Sequence, residues 1–320
     1  MNDLARFWFD DVAEPPRACT LEDYQGATPR WCPGCGDHAV LAALQRLCRD
    51  EQLPPEQTVV VSGIGCSSRF PHYMKTFGFH GLHGRALPVA EGVRSRRPDL
   101  HLFVVTGDGD CCSIGAGHWI HAIRYNMRMV VMMFDNNIYG LTKMQTSPTT
   151  HAGYRSNTHP RGAWLNPIDP IQTTLGVTNV SFVAQTPDWN PAHVAATLKL
   201  AYHHPGLAFV RVLQRCPHYT ADVFEGAQRD PKRLLLLEHP DGVPLDPMVA
   251  KLFPNRVEHD PRDLDAARRM AGRGDELLPV GLFYVNPDAQ RYDAYTVEGL
   301  ATPRNAKLAA VRAELDHYKV

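Results

Sequence analysis

The sequence has no apolar run approaching the roughly 18 residues that a membrane-spanning helix requires, so no transmembrane helix is expected. It has no excess of charge of either sign. Its 33 Lys and Arg face 34 Asp and Glu, a formal net charge of −1, which gives no electrostatic footprint for nucleic acid or an anionic membrane surface. Eight cysteines in 320 residues are too sparse for a disulfide scaffold. The first residues, MNDLARFWFDD, carry acids and no long apolar region, unlike a secretory signal. No internal repeat or low-complexity tract is visible. The stretch from Gly63 to Ser68, GIGCSS, lacks the third glycine of a dinucleotide fingerprint, so a nicotinamide site is a weak reading. What remains is ordinary: 44% hydrophobic and 21% charged residues, as in a soluble globular protein. The expectation is a cytoplasmic enzyme.

Apolar periodicity predicts alternating strands and helices. Val40, Ala43, Leu44 and Leu47 repeat at helical spacing over 36–50, and Pro54-Pro55 ends the pattern. A buried strand is expected at 58–62, a helix over 85–96, a strand at 102–106, a helix over 114–126 and a strand at 129–134. A polar, proline-bearing loop fills 142–170. A strand at 180–184, a helix over 192–203 and a strand at 207–213 complete the series. Such alternation predicts a doubly wound, mostly parallel α/β sheet. The pattern stops near Cys216-Pro217. The expected domains are therefore residues 1–220, carrying the site, and an irregular C-terminal extension over 221–320, packed on the domain or on a partner. The length is compatible with that or with two small domains.

The most informative segment runs from Gly107 to Gly140. It reads G-D-G, then 26 residues, then N-N-I-Y-G. Strand–helix–strand between these points brings Asp108 and Asn136 to the same carboxyl edge. An acid and an amide oxygen beside a glycine turn suit a hard cation holding a diphosphate, because Mg²⁺ takes oxygen ligands and keeps phosphates among them. Cys32-Pro-Gly-Cys35 has three readings on its own: half a zinc site with His38 nearby, a dithiol redox pair, or half an iron–sulfur site. Cys66 and Cys216 each follow a predicted strand, so carboxyl-edge turns could bring them together. Cys19, Cys48, Cys111 and Cys112 suit small buried hydrophobes.

The run GDGDCCSIGAGHWIHAIRYN…FDNNIYGLTKMQTSPTT resembles the β subunit of the 2-oxoacid:ferredoxin oxidoreductases, and its G-D-G…N-N resembles the thiamine diphosphate motif. The resemblance spans about residues 28–220. It implies a thiamine diphosphate-binding fold in which Asp108, Asn136 and the carbonyl of Ile138 ligate Mg²⁺, counted back from Tyr139. The usual Asn-Asn pair then aligns with Asp135-Asn136. Ile64, Gly65, Cys66 and Ser67 are implied cofactor contacts, as are His83, Gly84, Arg85 and Ala86. Gly109, Asp110, Tyr139, Gly140 and Leu141 join them. The same resemblance assigns Cys32, Cys35, Cys66 and Cys216 to one [4Fe–4S] cluster, for which four thiolates are the normal ligand set. The chain lacks the C-x2-C-x2-C-x3-C run of bacterial ferredoxins, so a single cluster is expected.

Arg69 and Lys143 bear on substrate choice. Pyruvate-specific relatives tend to carry L-T-G-G-Q and 2-oxoglutarate relatives L-T-K-G-Q, where this chain has L-T-K-M-Q, with Met144 departing from the usual glycine. Two cations suit a substrate with a second carboxylate, and His83 completes the implied catalytic set. The resemblance thus implies 2-oxoglutarate, coenzyme A and oxidised ferredoxin going to succinyl-CoA, CO₂ and reduced ferredoxin, or the reverse as CO₂ fixation. It also implies an α subunit carrying the glutamate that engages the cofactor's aminopyrimidine, in an (αβ)₂ assembly, with neither nucleic acid nor membrane as partner. The alternatives are a pyruvate or other 2-oxoacid enzyme, a cluster-free thiamine-dependent decarboxylase, and a non-catalytic zinc module.

Overall fold

The computed structural model describes residues 17–273, 277–295 and 303–318. The amino-terminal segment read above for a leader lies outside them. Four strands form the centre: β1 (Thr58–Ser62), β3 (His101–Gly107), β4 (Met129–Asp135) and β6 (Leu207–Leu213). Each is a run of Val, Leu, Phe or Met with almost every residue buried, as strands covered on both faces must be. With β2 (Phe77–His80), β5 (Phe182–Pro187), β7 (Leu234–Glu238), β8 (Asn255–Glu258) and β9 (Leu278–Val285) they make one nine-stranded sheet. Its order is β2-β1-β3-β4-β6-β5-β9-β7-β8, parallel throughout except where β9 runs antiparallel to β5. A doubly wound, mostly parallel α/β fold is what the alternation predicted.

Successive strand residues face opposite layers. Val60, Phe103, Val105, Val130 and Met132 meet α1 (Asp37–Asp50) through Leu44 and Leu47, and α5 (Pro191–His203) through Val194 and Leu198. On the other face Val61, Val104, Val131 and Met133 meet α2 (Ala86–Arg96) through Leu87 and Ala90, and α3 (Ala116–Tyr125) through Trp119 and Ile123. Each such side chain contributes about 1.5–3 kcal/mol of burial, so the centre of the sheet is the rigid floor beneath the turns that follow it. Asn126 closes α3 in the left-handed conformation, φ 52°, and its Oδ1 accepts from Leu207 N at 2.8 Å.

Three elements differ from expectation. The edge strand β2 went unread because it is only four residues long, too short for Phe77 and Phe79 to stand out as a periodic apolar run. A short helix, α4 (Pro170–Leu175), ends the long loop, capped by Asp169 accepting from the amides of Ile171 and Gln172. The region after residue 220 is more regular than its sequence suggested. The four leucines 234–237 become β7, and β7, β8 and β9 extend the sheet. They gather a third apolar cluster around Phe224, Leu236, Phe253 and Val280. That region also holds α6 (Leu264–Ala271) and α7 (Arg304–His317). Among the described residues no helix is long and apolar enough to cross a membrane.

Candidate active site

The parallel register sets the site. Ser62 lies level with Val105, Gly107 with Phe134, and Asp135 with Leu213. The turns after β1, β3, β4 and β6 therefore open side by side at one carboxyl edge, where open α/β sheets bind ligands. They deliver Ile64–Ser67, Asp108–Asp110, Asn136–Leu141 and Gln214–Cys216. The first three, with His83, Thr142 and Gln145, enclose a cavity of about 340 Å³. Gly109 is required there for close approach: a Cβ at that position would run into the Tyr139 ring, whose hydroxyl donates to the Gly109 carbonyl at 3.0 Å.

Asp108 is buried on the cavity wall beside Asn136 and Ile138. Its Oδ2 accepts from the hydroxyls of Ser147 at 2.6 Å and Thr149 at 2.7 Å. Asp135 lies fully buried behind it. It takes Arg211 Nε at 2.8 Å and a second guanidinium nitrogen at 2.6 Å, together with Asn137 Nδ2 at 2.8 Å. Of these two buried carboxylates, Asp135 is the one paired with an Arg. Burial first, and the Asp135 charge second, push the Asp108 carboxyl up to about 7. Buried excess negative charge is tolerated where a cation comes to it. Oxygen donors and negative charge make the donor set one that fits Mg²⁺. Asn136 is fixed from both sides, its side-chain oxygen accepting from Ile138 N at 3.2 Å and its carbonyl from the Thr220 hydroxyl at 2.8 Å.

Asp110 is an anchor for two neighbouring turns. Its Oδ1 accepts from Ile64 N at 3.1 Å and Gly84 N at 2.7 Å, and lies 2.5 Å from His83 Nδ1. Its Oδ2 accepts from the Thr106 hydroxyl at 2.7 Å. The carboxylate also fills the space a Cβ at Gly63 would need. One buried acid therefore sets both cofactor-side turns and aims the His83 ring, which meets Tyr139 at 6.0 Å between centroids.

A second cavity of about 240 Å³ adjoins the first through Cys66, Asn136, Gly140 and Leu141. Cys32, Cys35, Cys66 and Cys216 all line it. Gln214 Nε2 lies 3.3 Å from Cys35 Sγ, and the Trp31 indole donates to the Cys66 carbonyl at 2.6 Å. Burial is the main reason the Cys66 thiol is pushed up to about 12. The negative charge of Asp37 and the neighbouring thiols add to it, and the same causes raise Cys35. Four cysteine side chains around one space make a donor set that fits an iron–sulfur core. Among the described residues no three His, Cys, Asp or Glu side chains converge as a compact single-ion site. A cluster, unlike a single ion, takes its four thiolates from separate corners around it.

The remaining expected residues divide. Arg69 and Lys143 line the cysteine cavity and not the Asp108 cavity. Arg69 rests over the Tyr73 ring at 5.7 Å, and Lys143 is exposed with φ 73°. Met144, at the usual glycine position, also has a positive φ, 69°. Gly84, Arg85 and Ala86 are not on the wall of either cavity; Arg85 reaches the Ile114 carbonyl at 3.2 Å. Sequence reasoning missed Ser147, Thr149, Arg211 and Thr220, which come from 39 to 84 residues away along the chain. It also missed Asp37, buried near Cys35, whose carboxyl burial pushes up to about 7. No local spacing announces any of them.

Fold and turns define a thiamine diphosphate-binding domain, and the thiamine pyrophosphate enzyme C-terminal TPP binding domain model matches residues 63–212. Whole-chain relatives narrow this. The chain is 38% identical to the 2-oxoacid:ferredoxin oxidoreductase 1 subunit beta of Aeropyrum pernix over 82% of its own length and 80% of that subunit. It is 41% identical to the 2-oxoglutarate oxidoreductase subunit KorB of Mycobacterium tuberculosis over 66% of its own length, a match spanning 57% of that protein. Among solved structures it is similar to the 2-oxoglutarate:ferredoxin oxidoreductase from Magnetococcus marinus with 2-oxoglutarate, coenzyme A and succinyl-CoA bound. The TM-score is 0.77 and the identity 33%, covering 92% of this chain and 96% of that one. This chain belongs to the 2-oxoacid:ferredoxin oxidoreductase β-subunit family.

Proposed function

We propose that this chain is the thiamine diphosphate-binding β subunit of a 2-oxoglutarate:ferredoxin oxidoreductase, converting 2-oxoglutarate and coenzyme A to succinyl-CoA and CO₂ while reducing ferredoxin. The observation that carries this reading is the adjacency of two cavities, one built on Asp108 and Asn136 and the other on four cysteines, with Cys66 in both walls. When bound, thiamine diphosphate supplies the decarboxylation chemistry, and the cluster supplies a one-electron exit. Asp108, Asn136 and the Ile138 carbonyl are the Mg²⁺ ligands in this reading, with the backbone of Ile64–Ser67 and Gly109 against the diphosphate. Cys32, Cys35, Cys66 and Cys216 hold the cluster. His83, oriented by Asp110, offers a proton or hydrogen bond at the reacting centre. Arg69 and Lys143 receive the distal carboxylate from the neighbouring wall.

An α subunit supplies the glutamate for the aminopyrimidine, in an (αβ)₂ complex with ferredoxin as the acceptor. The relatives named for 2-oxoglutarate, and the 2-oxoglutarate and coenzyme A bound to the Magnetococcus marinus enzyme, support substrate and co-substrate. With strongly reduced ferredoxin the same complex runs in reverse and fixes CO₂, the reaction of a reductive TCA cycle. A cytoplasmic setting goes with this reading, since all eight cysteines are free thiols and cluster ligands must stay unpaired. Anaerobic analysis of the complex co-expressed with its α subunit tests the cofactor set. We expect iron and sulfide in equal amounts, as a [4Fe–4S] cluster contains, together with thiamine diphosphate. Zinc in place of iron would overturn the reading.

A further inference from the structure

The segment Ser147–Thr150 inserts three hydroxyls into the metal-side turns. Ser147 Oγ and Thr149 Oγ1 both reach Asp108 Oδ2, at 2.6 and 2.7 Å. Thr150 Oγ1 donates to the Asn137 carbonyl at 2.6 Å and accepts from Ser147 N at 2.8 Å, which locks the turn on itself. Thr149 is the unusual member, because the same hydroxyl also lies 2.8 Å from Asp135 Oδ1. A hydroxyl has one proton to donate, so one Thr149 hydroxyl cannot satisfy two ionised carboxylates together. Asp135 cannot move away, held as it is by Arg211 and by both the amide and the side chain of Asn137. Arg211 is tied in turn to Gln185 Oε1 at 3.1 Å. A rigid chain thus runs Gln185–Arg211–Asp135–Thr149–Asp108, ending on the carboxylate that faces the cavity.

Resting on the magnesium reading above, we propose that Thr149 is a positioning residue: braced by the Asp135–Arg211 pair, its hydroxyl sets the orientation in which Asp108 meets the divalent cation. With a cation on Asp108, the single Thr149 proton serves the Asp108 carboxylate, because Asp135 keeps Arg211 and Asn137 as its own donors. Partners of this kind commonly govern metal affinity as strongly as they govern ligand geometry. The same turn continues the loop that carries Lys143 and Gln145. Loss of the bridge therefore loosens the metal ligand without removing any ligand atom.

The test uses the intact αβ complex with thiamine diphosphate, and Mn²⁺ as the probe, read by electron paramagnetic resonance. Thr149→Val should raise the Mn²⁺ dissociation constant about 10- to 100-fold and broaden the bound-Mn²⁺ spectrum, with iron content unchanged. Thr149→Ser should restore affinity to within about threefold, since the hydroxyl is all that is required. Ser147→Ala, which removes the other donor to the same oxygen, should weaken binding about fivefold, the worth of one hydrogen bond. It keeps the test decisive should Thr149→Val fail to assemble. Unchanged Mn²⁺ affinity in Ser147→Ala and Thr149→Val, or no recovery in Thr149→Ser, overturns the positioning role. If the wild-type complex itself shows no thiamine diphosphate-dependent Mn²⁺ binding, the magnesium reading falls first and this inference with it.

Discussion

Replacing Arg211 with Met isolates the electrostatics on which the Asp108 side of the site rests. Asp135 is fully buried and Arg211 is nearly so, with 16% of its side chain exposed. The guanidinium gives Asp135 two short N–H donors, at 2.8 and 2.6 Å. Removing one partner of a buried pair costs about 3–5 kcal/mol, because the other charge is left without compensation. Asp135 would keep the Asn137 amide and side chain and the Thr149 hydroxyl, which places Arg211→Met near the lower end, about 3 kcal/mol. The control is Arg97→Met, which breaks a pair at Asp99 in which both side chains are more than half exposed and should cost less than about 1 kcal/mol. The assay is urea unfolding of each variant at pH 7.5, followed by tryptophan fluorescence at matched protein concentration. The stranded carboxylate escapes by taking a proton, so the Arg211→Met defect should shrink at pH 5.5. A loss no greater than that of Arg97→Met, with no pH dependence, would refute the view of Asp135–Arg211 as a buried pair bracing the site.

Asp108 has its own pH signature. Its carboxyl is raised to about 7 in the folded metal-free chain against an ordinary value of 3.8, so the folded state binds the extra proton between these values. Metal-free stability should therefore rise as pH falls from 7 toward 4, and a thermal melt more stable at pH 7.5 than at 5.5 would contradict it once Mg²⁺ is chelated. Cys216→Ala should lower iron in the purified complex while thiamine diphosphate is retained; iron equal to wild type removes Cys216 from the ligand set. Asp110→Ala strips four donors of their acceptor at once. It should abolish thiamine diphosphate retention even though Asp110 is assigned no metal bond, and normal retention would disprove its anchoring role.

The centre of the fold was legible because β1, β3, β4 and β6 are buried on both faces and so read as unbroken apolar runs. The turns they feed were legible for a related reason: Gly107–Asp110, Asn136–Gly140 and Gly63–Ser67 each combine glycine with polar or sulfur side chains immediately after such a run. Elements at the edges were not. The strand β2 exposes Phe77 and Phe79, at 62% and 49%, and β7 hides its role in four leucines that could equally form a buried helix. The residues that brace the site were out of reach of any local pattern. Ser147 and Thr149 meet Asp108 only because the loop folds back, and Arg211 meets Asp135 only because β6 pairs with β4. Asp110, expected as a cofactor contact, lines the cavity and is also held by the protein's own amides. That outcome follows from its burial, which the sequence does not display.

Anaerobic viologen reduction by the αβ complex, with coenzyme A and thiamine diphosphate supplied, tests the central claim most directly when 2-oxoglutarate and pyruvate are compared side by side. Faster turnover of 2-oxoglutarate is expected, with a preference that moves toward pyruvate when Arg69 or Lys143 is replaced by Ala. Faster turnover of pyruvate by the unaltered complex would contradict the two-cation assignment. No reduction with either substrate, from a complex that contains both cluster and thiamine diphosphate, would contradict the proposed reaction itself.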